Sequence, residues 1–267
     1  MKLFLHELRA EQLLFWRNRE AAIFTFLLPI VFFLMFGAIY GNDRIEHRYK
    51  GAAYLEAGMI GYGVAATAFA GLAITLVIRR ESGVLKRIRS TPLPPGTYVA
   101  AVLVSTLIVF VVQVALIIVL GSTLVVFAIQ AVLIILLGRV LYGVAFPAQA
   151  FSLALALLLG AATFAALGLA ITAAVRSSEG SSAVINIVYL PMAIISGTFF
   201  SPHSYPAFLR GLADVLPLTY FVELTRRIMQ QGEAIWTQPG PVGAVVAWGV
   251  VGVVLAVRGF RWQPREG

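Results

Sequence analysis

Long apolar runs, separated by short polar segments, limit how this chain can fold more than any other feature. About 20 apolar residues are enough for a helix to cross the hydrocarbon core of a membrane. The candidate spans are residues 21–40, 57–78, 99–138, 149–174, 183–201 and 241–257. The pattern predicts an all-α integral membrane protein in which residues 1–267 form a single transmembrane domain.

The composition agrees with this class. Hydrophobic residues make up 60% of the chain and charged residues 12%, with a mean hydropathy of +0.91, whereas soluble domains carry roughly 25% charged residues. Cysteine is absent, which excludes disulfides and thiolate metal sites, and the three histidines are too scattered for a metal cluster. A net charge of +8 in such a protein sets topology and attracts acidic lipid, so we expect no nucleic acid partner.

Three segments lie outside the apolar runs and are more than simple loops. Residues 1–20 carry aromatic and basic residues on opposite faces, which predicts an interfacial helix, with a disordered basic leader as the alternative. Residues 41–56 have mixed charge and are expected outside. Residues 202–238 are semi-polar and contain several prolines, which favours short re-entrant helices in the outer leaflet. Because the first apolar run follows Glu20 without a cleavage site, it is expected to be a retained span.

The third apolar run contains a direct repeat. Residues 105–121 are followed at once by residues 122–138, and 11 of the 17 positions are identical, including Gln113 and Gln130. The run is about twice the length that one span needs. Either one helix became very long, or a second short span was added, so the chain has six transmembrane helices with seven possible.

The distribution of Lys and Arg predicts that both termini are cytoplasmic. With the N-terminus inside, 13 basic residues lie in inner segments and 7 in outer ones. An extra span from the duplication gives the same totals, so this rule does not decide between six and seven spans. We expect a multi-pass protein of the cell inner or plasma membrane.

The polar segment 79–98 differs from an ordinary loop. It carries five of the 20 Lys and Arg residues and only one acid. Val84, Leu85 and Ile88 fall on one face of a short helix surrounded by basic residues. The prolines that follow, beginning with Pro92, then stop that helix. A plain positive-inside loop would explain the charge but not the helix followed by prolines.

The sequence offers little internal chemistry. The P-loop pattern G-x-x-x-x-G-K-[ST], paired catalytic carboxylates and a Ser/His/Asp arrangement are not evident, so we expect a protein that is not itself an enzyme and holds no cofactor. The predicted spans carry no acid, lysine or histidine at depth, which argues against a proton-driven antiporter. The main polar groups at depth are expected to tie helices together by hydrogen bonds. They are Thr67, Thr75, Gln113, Gln130 and Asn186.

Three motifs in order resemble those of ABC-2 type permeases, the membrane subunits of ABC exporters such as the daunorubicin-resistance and polysaccharide-export systems. Residues 80–93, RESGVLKRIRSTPL, resemble the family loop R-E-x-G-x-L-x-R-x-R-x-T-P-L. Leu190-Pro191 with residues 196–202, SGTFFSP, is similar to the family's LP…SG-x-F-F-P. Residues 217–220, PLTY, with Arg226 six residues later, are similar to its P-L-T-Y…R segment. The resemblance covers nearly the whole chain.

The resemblance implies a dimeric permease with six spans, an N-terminal interfacial helix and re-entrant helices before the last span. It also implies that segment 79–98 is a coupling helix docked on a separate ATP-binding subunit, which would hold ATP-Mg. The implied coupling residues are Arg80, Glu81, Gly83, Val84, Leu85, Arg87, Ile88, Arg89, Pro92 and Leu93. The implied re-entrant residues are Pro217, Tyr220 and Arg226.

The sequence leaves the transported substrate open. Apolar, weakly polar spans fit a hydrophobic drug, a lipid or a lipid-linked glycan, and they do not identify the residues that contact it. The second permease copy can be identical or homologous. Two other functions remain as alternatives: an ion-coupled secondary transporter, which would need no partner, and a membrane anchor subunit that does not transport.

Overall fold

The computed structural model describes residues 19–45, 49–81, 121–175 and 178–259. The coupling segment beyond Glu81 and the first copy of the repeat therefore lie outside the described residues. The helices are α1 (Arg19–Tyr40), α2 (Gly51–Val64), α3 (Leu72–Glu81), α4 (Gly121–Tyr142), α5 (Ala150–Ile171), α6 (Ser178–Ile195), α7 (Ala207–Ala213), α8 (Pro217–Arg226) and α9 (Pro239–Gly259). Two short strands, β1 (Arg44–Ile45) and β2 (Tyr49–Lys50), pair antiparallel.

One continuous helical rod forms the centre of the molecule. It consists of α2, a π-helical segment at Ala65–Gly71 and α3. Every residue of α2 except Ala53 is buried, so this helix is surrounded by others instead of presenting one face to them. In the π segment, Thr67 Oγ1 donates to the carbonyl of Gly63 at 2.7 Å. Thr67 thus bonds within its own helix, and the expectation that it ties two helices together is wrong.

The rod begins earlier than the sequence predicted. The β1–β2 hairpin closes when the amide of Gly51 donates to the carbonyl of Asp43 at 2.8 Å, and the helix starts there instead of at residue 57. The predicted span 183–201 also differs from the structure. Helix α6 ends at Ile195, because Gly197 adopts a φ of +80° and turns the chain. That left-handed conformation favours glycine.

Helix α4 contains the second copy of the repeat and runs antiparallel to α2. Gln130 of α4 lies against Gly63, and Glu56 of α2 lies against Gly138. Helix α6 is also antiparallel to the rod: the Tyr189 hydroxyl donates to the carbonyl of Tyr62 at 3.3 Å, and Thr198, just after α6, lies against the earlier Gly58. Several helices therefore share the rod as their common packing partner.

Helices α5 and α9 form a parallel pair with close backbone contact. A Cβ added at Gly252 would lie 2.8 Å from the Leu167 backbone nitrogen, and one added at Gly249 would lie 2.9 Å from Thr163 Oγ1. The Thr163 hydroxyl donates to the carbonyl of Val245 at 3.1 Å. Small residues bring helix backbones close in membrane proteins, and such polar bonds add to the packing.

Within the described residues, three helical stretches are long and apolar enough to cross a membrane: Gly51–Ile78, Ala150–Ile171 and Pro239–Gly259. Three shorter apolar helices accompany them, at Leu28–Tyr40, Ile129–Tyr142 and Gly180–Ile195. The mostly helical, apolar architecture agrees with the predicted fold class. The exact number of spans stays a prediction.

Candidate functional site

The described part of the chain reaches the predicted coupling segment only at its edge. Helix α3 ends at Glu81, so the backbone of Arg80 and Glu81 completes the central rod. The other predicted coupling residues, from Gly83 to Leu93, lie outside the described residues, and their role stays a prediction. The structure does establish that the rod leads directly into this segment.

The predicted re-entrant segment contains two short helices with a sharp corner between them. Pro217 is the first residue of α8, where its fixed φ suits a helix start and its missing N–H is not needed. The Tyr220 hydroxyl donates to the backbone carbonyl of Asp214, just after α7. This contact closes the corner and gives two of the motif residues a structural role.

Arg226 joins two of the sequence motifs. Its Nη2 donates to the carbonyl of Gly197 at 2.8 Å, and its guanidinium lies 3.7 Å from the centroid of the Tyr54 ring. An arginine over a buried ring gains cation–π attraction that strengthens as water is excluded. The end of α8, the turn after α6 and the start of α2 are therefore held together by one side chain.

The SGTFFSP turn packs between α1 and α2. The ring of Phe199 lies 5.5 Å from that of Phe32 and 6.0 Å from that of Tyr62, between centroids. The Tyr40 hydroxyl donates to the carbonyl of Phe199 at 2.7 Å. These contacts attach the turn to the end of α1, so a shift of α6 would be transmitted to two other helices.

The turn continues into a short cap. Tyr205 donates through its hydroxyl to the carbonyl of Ile194 at 3.1 Å, and Arg210 donates to the carbonyl of His203 at 2.8 Å. Burial raises the pKa of Tyr205, so its hydroxyl stays protonated and remains a donor at neutral pH. The cap satisfies carbonyls that α6 leaves open at its C-terminal end.

A buried acid lies in the central rod, which corrects the prediction from sequence. Glu56, assigned to a polar outer loop, is in the second turn of α2 and 1% exposed. Neither carboxylate oxygen has a hydrogen-bond partner among the described residues. The correction concerns the start of the span, since Glu56 belongs to the helical stretch Gly51–Ile78 and not to the outer loop. The run Ala52 to Leu55 is apolar, and it could have indicated that the helix begins before residue 57.

The α2–α4 interface pairs each buried polar side chain with a glycine of the other helix. A Cβ at Gly138 would lie 2.9 Å from Glu56 Oε2, and a Cβ at Gly63 would lie 2.8 Å from Gln130 Oε1. Gln130 is 1% exposed, and neither of its amide atoms has a partner in the described part of the chain. The expectation that Gln130 ties helices by hydrogen bonds finds no support among the described residues and stays a prediction. We call this interface the polar seam.

Among the described residues, no group of three or more His, Cys, Asp or Glu side chains could hold a metal ion. Unpartnered buried polar groups cost free energy that is recovered when they meet water or a ligand. In the described residues, the polar seam leaves the Glu56 carboxylate and the Gln130 amide without partners, and Arg226 and the SGTFFSP turn hold the helices around it.

The fold and these contacts define a multi-pass helical membrane protein, and sequence comparison identifies its family. The family model described as "ABC-2 type transporter" matches residues 2–229. The chain belongs to this family, which confirms the resemblance seen in its motifs. It is also similar to the protein "Putative transport permease YvfS" of Bacillus subtilis (strain 168), with 23% identity over 220 residues and 82% of each chain covered.

Proposed function

We propose that this membrane permease is the transmembrane subunit of an ATP-driven exporter. It would act as a dimer with a separate ATP-binding subunit and move a hydrophobic or amphiphilic substrate out of the cytoplasm. The observation that carries the proposal is segment 80–93, whose family motif and amphipathic pattern stand in a chain with no P-loop of its own. An apolar helix face ringed by basic residues fits a groove on a partner protein, and the family motif favours that over the membrane surface.

The central rod supplies a route for the energy. A helix is stiff along its axis, and α3 leads from the coupling segment through the π segment to α2. ATP-driven closure of the partner subunits would push the end of α3 and shift α2 against α4, which would open the polar seam. Val84, Leu85 and Ile88 would pack into the partner, and Glu81, Arg87 and Arg89 would bind its rim. π segments occur frequently at functional sites, which supports a bend there.

Six spans with both termini in the cytoplasm complete the proposal. The antiparallel arrangement of α2 and α4 supports this number, because one extra crossing between them would make these two helices parallel. The parallel arrangement of α5 and α9 also fits, since one crossing, α6, lies between them. Residues 1–20 would lie along the cytoplasmic surface as an interfacial helix.

Replacing Leu85 with aspartate is expected to abolish co-purification of an ATP-binding subunit from native membranes. A charge in an apolar contact would remain desolvated and unpaired, which costs several kcal/mol and at least about a hundredfold in affinity. Tagged permease is purified in mild detergent, and its partners are identified by mass spectrometry.

Ser90→Asp is the matched control, because it adds the same charge away from the apolar face. It should retain the partner, and both variants should insert into the membrane in normal amounts. Retention of the ATP-binding subunit by Leu85→Asp, together with unchanged ATP hydrolysis by the complex, would contradict the proposal.

Ion-coupled transport is the second candidate, and one observation favours it. Glu56 is a buried acid in a span, and such residues often mark proton or ion pathways. Transport by the purified chain alone, driven by a proton gradient and lost in Glu56→Gln, would support this function in place of the first. ATP-dependent transport that survives Glu56→Gln would exclude it.

A further inference from the structure

A long apolar groove separates α6 from the α5–α9 pair. Its volume is about 780 Å³, within the range of roughly 300–1,000 Å³ typical of small-molecule sites. Val188 and Pro191 line it from α6, Ala170 from α5, and Trp248 and Leu255 from α9. We call it the α6–α9 groove.

The two walls of the groove both rest on the central rod, α6 through Tyr189 and α5 through Gly168, where an added Cβ would lie 2.7 Å from the Phe69 carbonyl oxygen. The glycine contacts of Gly249 and Gly252 join α9 to α5. Nothing in these contacts draws the two walls together. The small side chains Ala173 and Ala174 also line the groove and leave it unfilled.

The apolar lining of the groove suits a hydrocarbon ligand. The groove walls belong to apolar helices of membrane-spanning character, and α6 and α9 both expose large apolar side chains, such as Ile187 and Val251. Water is unstable in an apolar cavity because it finds no polar partners there. An acyl chain entering sideways from the bilayer would bury its methylenes against these walls.

One end of the groove carries a positive charge. Among the described residues, Arg258, in the last turn of α9, is the single charged residue that lines the groove, beside Gly259 and Ala173. No ion pair or hydrogen bond of the Arg258 guanidinium appears among the described residues. An arginine at the end of a hydrophobic slot suits a phosphate group, which it binds through two parallel N–H donors.

We propose that the α6–α9 groove is a binding site for an acidic phospholipid. One acyl chain lies along Pro191 and Trp248, and the phosphate binds Arg258 at the end where α5 and α9 finish. The bound chain fills the space beside the proline of α6 and supports that helix at its least regular point. The lipid is therefore a fixed component of the permease, distinct from the lipid that exchanges around it.

Tryptophan fluorescence quenching by brominated lipids tests this site. The full chain, with Trp16, Trp236 and Trp262 changed to phenylalanine, is placed in phosphatidylcholine vesicles that contain acyl-brominated phosphatidylglycerol or acyl-brominated phosphatidylcholine. Trp248 should be quenched at about fivefold lower fractions of the brominated acidic lipid, the preference expected for one basic residue facing an anionic lipid. Arg258→Gln should remove the preference, and Arg258→Lys should retain most of it.

A probe on the opposite face of α9 is the control for general charge attraction. Val250 is 57% exposed and does not line the groove, so in the Trp248→Phe, Val250→Trp chain both brominated lipids should quench equally. Equal quenching of Trp248 by the two lipids would overturn the proposal, since the groove would then be an unselective slot. Absence of quenching by either lipid would also overturn it, because protein would then fill the groove.

Discussion

Gly58→Val is expected to destabilise the fold strongly, because Gly58 is where α2 meets the SGTFFSP turn. A Cβ at this position would lie 2.0 Å from the carbonyl oxygen of Thr198 and 2.9 Å from its carbonyl carbon. These atoms belong to the backbone, so no side-chain rotation relieves the clash. The turn would have to leave α1, and its contacts from Tyr40 and Arg226 would be lost with it.

The expected cost exceeds the ~1–3 kcal/mol typical of overpacked cores. For a protein of this size, that corresponds to a fall of about 10 °C or more in the melting temperature in detergent. Gly243→Val is the matched control, because no atom lies within 4 Å of a Cβ added there. Size-exclusion profiles and thermal unfolding measure both variants. A Gly58→Val protein as stable as Gly243→Val would disprove this packing.

The second large effect concerns the duplicated helix, where two similar deletions should give opposite results. Removing residues 122–138 leaves Gln113, Gly121 and Arg139 with the same spacing that Gln130, Gly138 and Arg139 have in the full chain. The shortened chain therefore restores a glutamine opposite Gly63 and a glycine opposite Glu56. We expect it to fold and to transport.

Removing only residues 126–138 should destroy the same interface. Ile117 and Val125 then take the positions of Gln130 and Gly138. A valine side chain would meet the Glu56 carboxylate, because even a Cβ at that position lies 2.9 Å from Oε2. We expect loss of folded protein, read from membrane yield and from transport.

A reporter fused to the C-terminus makes the pair of deletions informative about topology as well. In a six-span protein, the 122–138 deletion leaves the C-terminus in the cytoplasm. If the repeat had added a span of its own, the same deletion would move the reporter across the membrane. A displaced reporter, or folding of the 126–138 deletion, would contradict the polar seam.

Much of the architecture follows from the sequence because apolar length and proline placement are local signals. The run 149–174 corresponds to α5 within a few residues, and Pro217 does begin a helix. The resemblance of segments 196–202 and 217–226 to family motifs was also readable. The contact between the two motifs, in which Arg226 donates to the carbonyl of Gly197, could not be predicted, because 29 residues separate these two positions.

The polar seam shows where sequence patterns fail. Glu56 was assigned to a loop because one charge close to a polar segment looks like part of it, whereas a hairpin sets the helix start at Gly51. The pairing of Gln130 with Gly63 depends on the register between two helices far apart in the chain. The α6–α9 groove could not be predicted from composition either. It depends on how the helices pack together, and the apolar residues alone do not determine that.

Photo-crosslinking from position 85 tests the central claim most directly, and the chain's lack of cysteine makes it simple. A single Leu85→Cys permease is labelled with a thiol-reactive photo-crosslinker, irradiated in native membranes, and its adducts are sequenced. His203→Cys, beyond the far end of α6, is the control. We predict an adduct with a P-loop ATP-binding protein from position 85 and none from position 203. A functional Leu85→Cys permease that yields no such adduct would contradict the account.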